Sequence, residues 1–512
     1  MAAALQPARP RISPAVATLT LLIALNLLNY IDRYILPGEL SLIQREFHST
    51  DHQMGALTTA LFIFYMVAAP LSGWLGDRLN KKQLLVCGVA LCVMAALALH
   101  RDWALFFQLG ALAVVLLIAY VWFQPAAARL PDRSSRKALI IFGAILWSLA
   151  TLATVWVHDY WTFYIRQAFV GIGEATFGIF APAILADFYP ERERNRILSI
   201  FYVAIPVGAA LGYLAGGQLG SIWGWRAPFF VCAIPGFLIA ALYGLWGHEP
   251  QRGASDNMKE TINTTTFLGL FHNPAFLTAT FGLATLTFAM GGISAWVPTF
   301  LSRAAGLSVA RASLVVGAVT VIDGILGTLV GGWIAQRWLR TDHRALYLLS
   351  FWSVALALPF GVLLFFGPPS WAIPSLLVAE FFLFLNTGPL NAAIVNSVSA
   401  PVRATAIGVN FFTIHCFGDT FSPQIIGAIS DHSTLGIGLG ATLIMMVVSC
   451  VILWKGARHA PPMEDVDISV LEEIAEAVMA TLDDSGEAPP PPLDSDAVAA
   501  TSPEASSDPS RS

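Results

Sequence analysis

Eight ionisable residues stand inside long apolar stretches: Asp32, Arg33, Arg166, Glu174, Asp323, Glu380, His415 and Asp419. At membrane depth each such side chain costs about 2.5–3.5 kcal/mol on insertion scales, so by default it marks a site. Asp32 and Arg33 are neighbours, about 100° apart on a helix, so they cannot both face lipid. They read either as a protonatable carboxylate beside a cation in a central cavity, or as a pair near the outer end of the first helix that snorkels to water. Arg166 and Glu174 are eight residues apart, which puts them on one broad helix face about 12 Å apart along the axis. A buried Arg suits a phosphate or carboxylate, and a buried Glu near the midplane can bind and release a proton. The other reading of these two is a structural ion pair between helices. His415 and Asp419 stand at i, i+4, close enough to bond each other or to line a cavity together, although Gly418 and Pro423 also point to a kink. Asp323 and Glu380 are weaker candidates.

These residues need helices to hold them. The 512-residue chain is 56% hydrophobic and 12% charged, about half the charge of a soluble domain. Apolar runs of about 20 residues recur along it, the length that spans a bilayer. In lipid the backbone must satisfy its own hydrogen bonds, so each run is a helix. The runs predict an all-α polytopic membrane protein with about 14 transmembrane helices, near 15–36, 55–76, 83–100, 103–124, 138–157, 161–188, 197–219, 226–247, 275–302, 312–336, 344–367, 371–395, 403–429 and 434–456.

Cations cluster in alternate short loops: Arg78, Lys81 and Lys82; Arg129, Arg133, Arg136 and Lys137; Arg192, Arg194 and Arg196; Arg337, Arg340 and Arg344; Lys455 and Arg458. This asymmetry predicts that both termini are cytoplasmic. The polar stretch 248–274 reads as a cytoplasmic linker between an N-terminal half, 15–247, and a C-terminal half, 275–456, with 1–14 as a cytoplasmic N-terminus. The acidic, Pro- and Ser-rich tail 457–512 reads as disordered.

GWLGDRLNKK (73–82) and ARLPDRSSRK (128–137) align at an offset of 55, which reads as a duplicated helix–turn–helix or as chance likeness between two basic turns. The duplicated reading makes about 83–137 an inserted helix pair.

Several chemistries are not expected. GxSxG, HExxH and Walker patterns are missing, so the chain reads as neither an enzyme nor an ATP-driven pump. The five cysteines lie in apolar runs without metal-ligand spacing, and no metal or cofactor is expected. The net charge of -5 comes with no basic stripe for nucleic acid.

GWLGDRLNKK resembles the signature turn between helices two and three of the major facilitator superfamily. The resemblance implies two six-helix halves, with the inserted pair outside them, and gating roles for Gly73, Asp77 and Arg78. A narrower resemblance is to the Spinster family. It rests on LNLLNYIDRYILPG (25–38), FIFYMVAAPLSGWLGDRLNKK (62–82), RKALIIFGAILWSLATLAT (136–154), RQAFVGIGEATFGIFAPAILADFYP (166–190), RNRILSIFYVAIPVGAALGYLAGG (194–217) and GDTFSPQIIGAISD (418–431). That family implies export of lysolipids or sphingoid lipid phosphates such as sphingosine-1-phosphate, with proton coupling in bacterial members. It carries the proton role to Asp32 and Glu174, and headgroup and gating roles to Arg33 and Arg166.

The resulting expectation is a proton-coupled, alternating-access transporter, monomeric, in a bacterial inner membrane. Its partners would be an anionic amphiphilic lipid, protons and the bilayer. Phe62, Tyr65, Trp296 and Phe412 are candidates for the wall along the lipid tail, joined by His415 and Asp419 from the second half. The rival readings are a carrier of a small organic anion, sugar acid or drug, and a non-transporting receptor or scaffold acting through the acidic tail.

Overall fold

A computed structural model describes residues 13–78, 135–189, 191–250, 269–398 and 403–462. All regular structure among them is helical. The first half contributes α1 (Pro14–Phe47), α2 (Asp51–Arg78), α3 (Arg136–Ala153), α4 (Tyr160–Phe188), α5 (Glu191–Leu214) and α6 (Ala227–Trp246). The second contributes α7 (Pro274–Ala304), α8 (Val309–Leu339), α9 (Ala345–Phe366), α10 (Ala372–Leu385, continued by Thr387–Asn396), α11 (Arg403–Ile414, resumed at Ser422–Asp431) and α12 (Leu435–Gly456). Among the described residues, eleven spans are long and apolar enough to cross a membrane. The proposed inserted pair, the 251–268 part of the linker and the tail beyond 462 lie outside the described residues.

Local chemistry sets the helix starts. Ser13, Ser135, Asp159, Asn273, Ser308 and Thr434 each accept a backbone N–H of the following first turn, satisfying donors that the helix leaves open. Two helices deviate from α geometry. A wider π-helical turn at Ala215–Leu219 carries α5 on into Gly220–Trp223. A second, at His415–Asp419, breaks α11 at Gly418. Such turns re-aim side chains within a helix.

Helix α1 departs from expectation. It does not stop at 36 but runs to Phe47 with Pro37 inside it. Asp32 and Arg33 therefore sit near its middle rather than its outer end. Proline usually ends a helix, but the Pro37–Gly38 step is packed on α5: a Cβ on Gly38 would lie 2.9 Å from the Tyr213 carbonyl oxygen.

Within the first half, α4 packs backbone to backbone on α3. A Cβ on Gly173 would meet the Gly143 carbonyl oxygen at 2.7 Å and the Trp147 nitrogen at 2.8 Å. On its other side Gly171 abuts the Leu61 carbonyl of α2. The GIG step thus lets three helices close around the residue that follows it, Glu174.

The two halves meet along α1–α7, α2–α11 and α5–α8, and one end of the bundle is latched. Asp431, ending α11, accepts the backbone N–H of Asp51 at 2.7 Å and of His52 at 3.0 Å, capping the first turn of α2 from the opposite half. Asp51 accepts Arg303 of α7 at 2.7 and 2.8 Å, Ser430 at 2.5 Å and Gln44 at 2.6 Å. Deeper on this side, Ser313 donates to the Gly38 carbonyl at 2.5 Å, Tyr213 to the Ser294 carbonyl at 2.6 Å and Thr59 to the Thr420 carbonyl at 2.7 Å. At the opposite end, among the described residues, ion pairs stay within one half. There Arg136 joins Asp187 at 2.6 Å and Glu249 at 3.3 Å, and Lys137 donates to the Gly244 and Gly247 carbonyls. The bundle is closed at the end that carries the 47–51 and 431–435 turns.

Candidate functional site

The packing described above gathers the first-half charges midway along the helices. Arg33 of α1 and Glu174 of α4 form an ion pair at 2.5 Å, with a second bond from Nε at 3.1 Å. The Glu174 side chain is fully buried and that of Arg33 is 14% exposed. The guanidinium lies 5.1 Å from the Tyr30 ring, 5.3 Å from Phe62 and 5.4 Å from Tyr65, a cation enclosed by aromatic faces. Both Glu174 contacts use Oε2, and Oε1 is buried without a partner.

Asp32 points the other way around α1, as the 100° step requires. It accepts the Thr151 hydroxyl of α3 at 2.6 Å, and its second oxygen is buried without a partner. Arg166 does not pair with Glu174, eight residues on. Its Nε donates to Thr154, its Nη1 donates to Gln167 at 2.6 Å, and its guanidinium lies 4.6 Å from Phe229 and 5.2 Å from Phe163. The acidic groups in its field are Asp32, Glu174 and Glu39.

The second half meets this cluster through the break in α11. His415 bonds Asp419 at 2.9 Å, and its ring stacks 5.9 Å from Phe62 and lies 5.9 Å from Tyr65. Phe62 and Tyr65 therefore stand between Arg33 and His415. Phe412 is 53% exposed on α11. Trp296 is fully buried and donates its indole N–H to the Pro423 carbonyl at 2.8 Å. It packs inside the second half and offers no free surface in this conformation. Gly73, Asp77 and Arg78 close α2, and their side chains lie outside the described residues.

The geometry adds one residue that the apolar-run reading missed. Glu39 is fully buried on α1, and neither carboxylate oxygen has a hydrogen-bond partner. Ending the first helix at 36 placed it in a loop. The available signal was its spacing, seven residues after Asp32 and seven before Glu46. Asp323 and Glu380 are also buried, on α8 and α10, with Thr320 donating to Glu380 at 3.2 Å. Among the described residues, no group of His, Cys, Asp and Glu is arranged to hold a metal ion.

Two helical halves, twelve helices among the described residues, latched at one end and with charges buried midway along them, have the architecture of a secondary transporter. The family model of the Major Facilitator Superfamily matches residues 22–113 and 106–423, and the chain belongs to that superfamily. Within it, the chain is a spinster protein. It is 30% identical over 448 residues to protein spinster homolog 1 of Xenopus tropicalis, covering 82% of this chain and 74% of the relative. It is 29% identical over 431 residues to the sphingosine-1-phosphate transporter SPNS2 of Danio rerio, covering 79% and 74%. The fold is similar to the crystal structure of a bacterial homolog to human lysosomal transporter, Spinster, in an inward-facing and unoccupied conformation. That similarity has a TM-score of 0.70 at 20% identity over 89% of this chain and 99% of the other. The inward-facing and occupied form of that homolog matches with a TM-score of 0.60 at 20% identity, over 92% and 96%.

Proposed function

We infer that this chain is a proton-coupled, alternating-access carrier of a lysolipid or sphingoid lipid phosphate such as sphingosine-1-phosphate. The observation that carries the reading is the Arg33–Glu174 pair: a buried cation, already neutralised, inside an aromatic ring of Tyr30, Phe62 and Tyr65. A phosphate and the Glu174 carboxylate compete for the same guanidinium. Removing one partner from a buried pair costs about 3–5 kcal/mol because the other charge is stranded. Protonation of Glu174 therefore goes together with arrival of an anionic head at Arg33, and neither is favourable alone. The rings that flank Arg33 give the adjoining alkyl chain an apolar wall.

Asp32, hydrogen-bonded to Thr151 on the other side of α1, is the second proton-coupling residue of this account, and Arg166 balances its charge. Rotation of α1 moves Asp32 and Arg33 together, so proton occupancy on one side biases headgroup contacts on the other. A ligand shifts a conformational balance only through such differential contacts.

The positive-inside rule assigns the end bearing Arg136, Lys137, Arg194, Arg196, Arg337, Arg340, Arg344, Lys455 and Arg458 to the cytoplasm. The latched end then faces outward, both termini are cytoplasmic, and the conformation is inward-facing. The membrane is the inner membrane of a bacterium.

The test is equilibrium binding of labelled sphingosine-1-phosphate to purified protein across pH. Wild type should bind more tightly as pH falls. Glu174→Gln should bind tightly at every pH, and Arg33→Gln should not bind. A Glu174→Gln protein with the pH dependence of wild type would sink the competition. Binding of polar organic anions in place of the lipid would redirect the substrate class.

A further inference from the structure

Helix α1 carries three carboxylates at seven-residue intervals: Asp32, Glu39 and Glu46. Seven residues make nearly two turns, so the three lie within about 20° per step and about 10.5 Å apart along the axis. They descend from the surface to the middle of the bundle. The Glu46 side chain is 45% exposed at the latched end, where it accepts the Trp225 indole N–H at 2.5 Å and pairs with Arg226 at 2.8 Å. Glu39 is fully buried with both oxygens unpartnered. Asp32 is bonded to Thr151 through one oxygen only.

A carboxylate in that position is not a packing residue. Burying it ionised without a donor or a cation costs far more than burying an apolar side chain of the same size. The side chains around it supply little compensation. From the Gly220–Trp223 turn that continues α5 the carboxylate meets Gly220, where an added Cβ would collide with Oε2. From α6 comes Cys232, which lies in the field of both Asp32 and Glu39. From α4 comes Arg166, whose hydrogen bonds go to Thr154 and Gln167. From α8, Ser313 bonds the neighbouring Gly38 carbonyl and not Glu39.

We propose that Glu39 is a proton-carrying station between the outer surface at Glu46 and the coupling residue Asp32. A proton arriving at Glu46 is relayed to Glu39 and on to Asp32 through intervening water, each water accepting one proton and releasing another, because carboxyls about 10.5 Å apart along the axis are beyond direct transfer. The path runs inside the first half, among α1, α4, α5 and α6, rather than along the face between halves. Protons therefore reach Asp32 from outside while the substrate cavity is closed on that side.

This inference rests on the proton-coupled reading above, and the experiment separates the two. Wild type, Asp32→Asn, Glu39→Gln and Glu39→Asp are reconstituted in liposomes containing a pH-sensitive dye. Labelled sphingosine-1-phosphate and a labelled lysophospholipid are the probes. Initial rates are read under an imposed pH gradient, and in counterflow without one. Glu39→Gln should slow gradient-driven flux about a hundredfold, the low end of what a positioned acid–base group contributes, and leave counterflow running. Glu39→Asp should recover part of the loss. Gradient-driven flux at the wild-type rate in Glu39→Gln, with Asp32→Asn inactive, would overturn the station and leave proton coupling standing. Loss of counterflow together with driven flux would mark Glu39 as structural and overturn it as well. A wild type indifferent to the gradient would remove proton coupling itself, and the station with it.

Discussion

Arg303→Ala should unlatch the closed end. Arg303 reaches from α7 to the first turn of α2, giving Asp51 two hydrogen bonds at 2.7 and 2.8 Å and bonding Gln44 as well. A charge-assisted bond contributes about 1.5–3 kcal/mol when well shielded. Here the Arg303 side chain is 37% exposed and that of Asp51 is 8% exposed, so water screens one partner. A combined worth of about 1–2 kcal/mol follows for the pair, equal to about a 5- to 30-fold change in a two-state ratio. The contact spans the two halves and is lost when this end opens, so the whole effect falls on the closed state. The assay is a distance distribution between spin labels at His158 and His432, both exposed at this end and in opposite halves, in protein whose five cysteines have been replaced. The long-distance population should rise by that factor in Arg303→Ala with little change in melting temperature. An unchanged distribution in folded protein would show that the latch does not set the balance.

Three further outcomes follow from the packing and the charges. Gly173→Ala drives a methyl group into the Gly143 and Trp147 backbone and should destabilise the protein by about 1–3 kcal/mol. Gly332→Ala, where a Cβ would meet nothing within 4 Å, should be neutral or stabilising by less than about 1 kcal/mol in the same melting series. Burial alone would raise the Glu249 carboxyl, but hydrogen bonds from Ser135 and from the Arg136 and Lys137 backbone hold it below the usual range. A depressed carboxyl stabilises the fold above its unfolded pKa, near 4.3. That contribution disappears as pH falls through the folded value. Thermal stability should therefore drop below about pH 4 in wild type and change less steeply in Glu249→Gln.

The fold was legible because lipid leaves few alternatives. Runs of apolar residues had to be helices, and all twelve that fall within the described residues are helical. Boundaries were less legible. Pro37–Gly38 carries the local signature of a helix end, yet close packing on Tyr213 keeps α1 going, and that hid Glu39. The His415–Asp419 contact followed from its i, i+4 spacing. The partner of Arg33 did not follow from spacing, because it depends on how α1 and α4 rotate against each other. That rotation is set by Gly171 and Gly173 pressing on α2 and α3. Trp296 reads as an aromatic wall residue by type, but the turn at Pro423 offers its indole a carbonyl, and the ring is buried.

The central claim is that protons held in the first half drive movement of an anionic lipid. Its most direct test is uptake of labelled sphingosine-1-phosphate and lysophospholipid into proteoliposomes, with and without an imposed pH gradient, for wild type and Asp32→Asn. Flux should depend on the gradient in wild type and be lost in Asp32→Asn, whose side chain can still bond Thr151 but cannot take a proton. Equal, gradient-driven flux in both proteins would contradict it, as would absence of lipid flux in folded wild type.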